Sequence, residues 1–146
     1  MLVFTVLTTL GKLSMLIMMG IYFIFSCTVM AALRQSEQGA ETMVRINKEI
    51  LNTLFYLCFF GSALTALVLV VTRSNDYLAG LIFFAGTFLV TLIKNVPLNN
   101  ALLAASGEIG FQHTWQAYLR NWVFWNHVRT VSATVSGALL LWSAAL

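Results

Sequence analysis

Four uncharged apolar stretches, at 13–33, 51–72, 77–93 and 130–146, constrain this chain more than any other feature. A helix of about 20 mostly apolar residues crosses a bilayer because all its backbone polar groups bond within the helix. A β-barrel would instead show alternating segments of about ten residues separated by turns. With flanking residues, spans are expected at about 13–33, 51–72, 77–94 and 126–146, in one domain covering 1–146. The expected fold class is therefore all-α: a four-transmembrane-helix bundle whose last helix is extended by an aromatic-rich interfacial segment.

Only 9% of the 146 residues are charged, against about 25% in an average soluble domain. That excludes a soluble enzyme, a disordered tail and a nucleic-acid binder, and makes the lipid bilayer the first partner. The net charge of +3 then reads as positive-inside bias. Arg34, Arg45 and Lys48 lie in the first loop, and Lys94, Arg120 and Arg129 lie between spans three and four. The second loop holds only Arg73, balanced by Asp76. The expected orientation puts the first and third loops in the cytoplasm and both termini outside, in a bacterial inner membrane. The N-terminus lacks the basic start of a cleaved signal peptide, and Lys12 is placed to snorkel to the outer interface. Cys27 and Cys58 form no CxxC pair, which argues against disulfide-exchange chemistry.

All five acids, Glu37, Glu41, Glu49, Asp76 and Glu108, fall outside the expected spans. A proton-coupled transporter would want a carboxylate within one. His113 and His127 are fourteen residues apart, about 21 Å along a continuous helix, so one chain offers no paired-histidine haem site. No cofactor is expected, although a haem or metal held through His127 alone stays open.

The polar residues that stand out flank the start of the last span. Pro97 cannot donate to the Ile93 carbonyl and disfavours helix at Val96, so the third helix should kink or stop there. Asn95, Asn99 and Asn100 suit either a polar helix end or a pocket wall. Trp115, Tyr118, Trp122, Trp125 and Arg129 recur at spacings of three and four, which predicts one helical stripe. It suits an aromatic belt at the headgroups or the wall of an aromatic cleft. Asn126 and His127 follow directly; partial burial and a nearby cation could tune His127 as a general base. Small residues four apart, Ala133/Gly137 and Ser132/Ser136, predict close helix contact in the last span.

Taken together, several segments resemble the anthrone-oxygenase-like family of small four-helix membrane proteins. They are GIYFIFS (20–26), VMAAL (29–33), MVRIN (43–47), NVPLN (95–99) and WQAYLRNWVFWNHVRT (115–130). Where the family pattern often has an acid after the second asparagine, this chain has Asn100. The resemblance implies cofactor-independent oxidation of a lipophilic aromatic or quinol-like ligand: a base removes an acidic benzylic proton, and the carbanion reacts with O2. The implied catalytic residues are His127, Arg129, Asn95 and Asn99. Trp115, Tyr118, Trp122, Trp125 and Asn126 would hold the substrate, a small lipophilic aromatic molecule. A non-catalytic membrane subunit, a hydrophobic-ligand-binding protein and a haem- or metal-binding protein are the alternatives. A homo-oligomer stays open.

Overall fold

The computed structural model describes residues 1–145, and all-α structure is what it shows, with no strand among them. Leu146, the last residue of the fourth expected span, lies outside the described residues. Five helices follow one another: α1 (Leu2–Gln35), α2 (Gly39–Glu49), α3 (Thr53–Val71), α4 (Tyr77–Ala104) and α5 (Phe111–Ala144). Three of them, α1, α3 and α4, are long and apolar enough to cross a membrane. α5 is longer than α3, but it carries Arg120, Asn121, Asn126, His127 and Arg129 between its start and its middle turns, and its apolar residues gather after them.

α1 packs against α3 and α5, and α4 packs against the same two helices. Small residues permit the closest approaches. A Cβ at Gly80 would stand 2.6 Å from the Ala66 carbonyl, so α3 and α4 meet backbone to backbone there. Ser136 donates to the Ala79 carbonyl at 2.8 Å, and Ser132 seats against Gly86. Both are at the small-residue spacing read from the last helix, and both tie α5 to α4.

One end of the molecule is joined by polar groups. The Lys12 ammonium bonds an Asp76 carboxylate oxygen at 2.5 Å, and the Ser143 hydroxyl donates to the other oxygen. This links α1, the α3–α4 turn and the end of α5. Lys12, expected to snorkel, is thus ion-paired inside a helix that begins at Leu2.

The proline does not stop α4. A π-turn over Thr91–Asn95 precedes it, and the Val96 amide closes that turn on the Thr91 carbonyl. Pro97 then falls in the first turn of the following α-helical segment, Val96–Ala104, a position whose backbone angles suit proline. Two further π-turns interrupt the long helices, at Phe25–Val29 in α1 and Phe84–Leu89 in α4.

The buried apolar residues form two clusters. One includes Met15, Met18, Tyr22, Phe59, Phe83 and Leu140, inside the packed halves of α1, α3, α4 and α5. The other gathers Met30, Met43, Leu102, Trp115, Tyr118 and Trp122. There amphipathic α2 lays its apolar face on the ends of α1 and α4 and the first half of α5. The functional groups lie where these clusters meet.

Candidate functional site

α5 supplies the spine of the site. Its buried face runs Trp115, Tyr118, Trp122, Asn126, Arg129, Ala133. The rings stack in sequence: Trp115 on Tyr118 and Tyr118 on Trp122, each pair with centroids 5.6 Å apart and planes within 21°. Trp125 departs from the expected stripe. At about 100° per residue, Asn126 comes back to within about 40° of Trp122, whereas Trp125 falls about 60° to the other side. Trp125 is half-buried, with the Lys94 ammonium 4.9 Å from its ring centroid.

Arg129 ends the ladder. It is 6% exposed, and its guanidinium carbon lies 4.6 Å from the Tyr22 ring centroid and 5.2 Å from that of Trp122. One terminal nitrogen donates to Asn126 Oδ1 at 2.7 Å and the other to Thr91 Oγ1 at 3.2 Å. No carboxylate balances it: among the described residues the ion pair is Lys12–Asp76. A buried charge without a counter-ion is expensive, and cation–π contacts offset only part of that cost. Its Nε has no hydrogen-bond partner, and neither has the Trp122 indole Nε1.

The neighbouring polar groups are held by the π-turns. The Tyr22 carbonyl, just before the turn in α1, accepts from Asn126 Nδ2 and Thr130 Oγ1, each at 3.0 Å. Ser26, within the turn, bonds Asn126 Nδ2 at 2.7 Å and Thr130 Oγ1 at 2.7 Å. In α4, Thr91 donates to the Thr87 carbonyl at 2.7 Å, which leaves its oxygen aimed as an acceptor for Arg129. π-turns recur at functional sites because they displace side chains and free backbone acceptors. Nothing in the sequence marks them.

These residues face a cavity of about 350 Å³ to which all five helices contribute. Its walls are mostly apolar and aromatic, including Phe25, Phe55, Phe59 and Trp122. Polar atoms come from Tyr22, Thr91, Asn126 and Arg129 on one side and Asn47, Lys48, Asn99 and Asn100 on another. Size and lining are those of a small-molecule site.

Of the residues singled out from sequence, Asn99, Asn100, Trp122, Asn126 and Arg129 line this cavity. Tyr118 stands behind the wall, donating to Asn99 Oδ1 at 2.9 Å and accepting from Asn47 Nδ2 at 3.5 Å. Burial pushes its phenol well above the usual range, against smaller opposing pulls from Asn47 and Arg129, so it stays a neutral donor. Asn95 is buried, donates to the Trp122 carbonyl at 3.4 Å and does not line the cavity. Trp115 supports Tyr118 from further along the ladder.

His127 stands apart. It is exposed, its Nδ1 lies 3.1 Å from Ser26 Oγ, and it is not among the lining residues. Among the described residues, no aspartate, glutamate or histidine lines the cavity. Among the described residues no group of three or more His, Cys, Asp or Glu side chains is placed to hold a metal ion. Sequence reasoning passed over Tyr22, Thr91 and Asn47. Tyr22 sat inside a quoted segment, but nothing in its spacing tied it to Arg129 some hundred residues away.

The chain matches no curated protein and no solved structure. The family model described as anthrone oxygenase matches residues 41–139, a stretch that starts in α2 and takes in α3, α4 and α5 through Leu139, Arg129 included. Three apolar helices and this match fit an integral membrane protein. The chain belongs to the anthrone oxygenase family.

Proposed function

We propose that this protein binds a lipophilic aromatic or quinol-like compound in its anionic form and oxidises it with O2. The observation that carries this reading is Arg129: a buried guanidinium without a carboxylate, presented to an aromatic-walled cavity with Nε unpartnered. A phenolate or enolate oxygen is the counter-ion such a site selects. A planar ring suits walls of Phe and Trp, and a bilayer-embedded pocket suits a ligand drawn from hydrocarbon.

Oxidation follows from the same electrostatics. A preorganised cation at the developing oxyanion makes the ligand's own C–H or O–H more acidic; the proton passes to water and returns in the product water, and the electron-rich carbanion reacts with O2 directly. For an anthrone the balance is CH2 plus O2 giving C=O plus water, with one oxygen atom in each product. Arg129 stabilises the anion, Asn126 and Thr91 orient Arg129, and Asn99 receives its own orientation from Tyr118. His127 is outside this assignment, since it does not line the cavity.

The proposal places the protein in a bilayer crossed four times. The apolar second half of α5 gives the fourth crossing, and the Lys12–Asp76–Ser143 end faces outward. A binding role without turnover is the second reading, favoured by the lack of a carboxylate or imidazole in the lining. Oxygen uptake with an anthrone or a hydroquinone separates the two. The oxidase reading expects uptake by the wild type and its loss in Arg129→Met. Ligand binding without any uptake by the wild type would leave the binding role alone.

A further inference from the structure

A second hollow adjoins the cavity. A groove of about 730 Å³ lies between α3 and α4, and Tyr56 and Phe60 line both hollows. Apart from Thr53 and the shared Tyr56, its lining is apolar, with Leu57, Leu64 and Leu67 from α3 and Phe84 and Phe88 from α4. The three leucines are exposed in the chain by itself. From Leu57 to Leu67 is about 15 Å of helix at 1.5 Å per residue. A polar-ended aromatic chamber thus meets an apolar groove on an exposed face of the helices, and two aromatic side chains stand at the junction.

We infer that the ligand of this site is an aromatic head bearing an aliphatic chain. The head passes between α3 and α4 at Tyr56 and Phe60 to reach Arg129, and the chain lies in the Leu57–Leu67 groove. Ordinary lipid covers any apolar helix face. What distinguishes this one is its continuity with a chamber holding an uncompensated cation, so one molecule occupies both. The inference rests on the reading of the cavity as an aromatic-ligand site. A chain moving from lipid into the groove exchanges one apolar surrounding for another. Its gain is therefore contact with fixed side chains and tethering of the head, and not transfer from water.

The test compares methylhydroquinone with dodecylhydroquinone, titrated calorimetrically without oxygen into the protein in phosphatidylcholine nanodiscs, with protein-free nanodiscs subtracted. Affinities are expressed per mole fraction of ligand in the bilayer, which removes partitioning. The dodecyl compound is expected to bind the wild type more tightly. Leu64→Trp, which fills the groove, is expected to abolish that advantage and leave methylhydroquinone binding unchanged, which also reports correct folding. Leu141→Trp, on an exposed face of α5 outside the groove, is expected to change neither. Equal affinities of the two ligands for the wild type overturn the inference, and so does an advantage that survives Leu64→Trp. A loss shared by Leu141→Trp assigns the groove to annular lipid, and a changed oligomeric state in Leu64→Trp without a chain effect assigns it to a second copy. If neither hydroquinone binds the wild type, the reading of the cavity itself fails.

Discussion

Replacing Arg129 by methionine separates a ligand-binding guanidinium from a structural one. The side chain is 6% exposed, makes two hydrogen bonds, to Asn126 and Thr91, and lies over two rings. Methionine ends where Arg129 has its Nε, so it keeps the packing of the stem and removes a buried charge without a counter-ion, which relieves a desolvation cost of several kcal/mol. Against that, Asn126 Oδ1 loses its donor, at about 1–3 kcal/mol. The two roughly cancel, so thermal stability in detergent should change little. Ligand affinity should not escape. A hydrogen bond to a charged group contributes about 1.5–3 kcal/mol, and about 1.4 kcal/mol is tenfold. Calorimetric titration of a lipophilic phenol should therefore show roughly a tenfold to hundredfold weaker Kd in Arg129→Met. The wild type should also bind better as pH rises through the phenol's own pKa, and the variant should lose that slope. Equal affinity and slope, together with a sharply lower melting temperature, would refute the reasoning and make Arg129 structural.

Other substitutions test the surrounding assignments. His127→Ala should leave binding and oxygen uptake unchanged, measured side by side with the wild type; a general base would cost about 10²–10⁴-fold in rate. Tyr118→Phe removes the bonds to Asn99 and Asn47, so the melting curve should report a loss of about 1 kcal/mol per bond. At Asp76, burial raises the carboxyl, but the Lys12 and Ser143 bonds and the Lys12 charge together hold it below its usual range. The folded pKa is lowered, so that stabilisation is complete above the unfolded value of about 3.9 and is lost as pH falls through the folded one. Melting curves between neutral pH and pH 3 should show this acid limb in the wild type and not in Asp76→Asn. Gly80→Leu must push α4 off the Ala66 carbonyl, and overpacking of this kind costs about 1–3 kcal/mol, visible as reduced thermal stability.

The helices were readable because their code is coarse: long apolar runs and small residues four apart. Ser132 and Ser136 do meet α4 as their spacing suggested. The path of the chain at Pro97 was not readable, since a π-turn over Thr91–Asn95 has no distinct residue signature. At the site, α5 declared itself through its periodicity, and Asn126 and Arg129 share one buried face. Trp125 shows the limit of such counting, because spacings of three and four drift against 3.6 residues per turn. The partners from α1 and α4, Tyr22 and Thr91, depend on tertiary packing between helices distant in sequence. His127 is chemically the most capable residue, yet chemistry needs position as well as residue type, and it is exposed and not among the residues lining the cavity.

The most direct test of an anion-selecting Arg129 site is the absorption spectrum of a bound phenol. A lipophilic nitrophenol, whose anion absorbs in the visible and whose neutral form does not, is mixed with the purified protein below the phenol's own pKa. The account predicts the phenolate band with the wild type and its disappearance in Arg129→Met. A bound ligand that keeps the neutral phenol spectrum, or a phenolate band that persists in Arg129→Met, would contradict it.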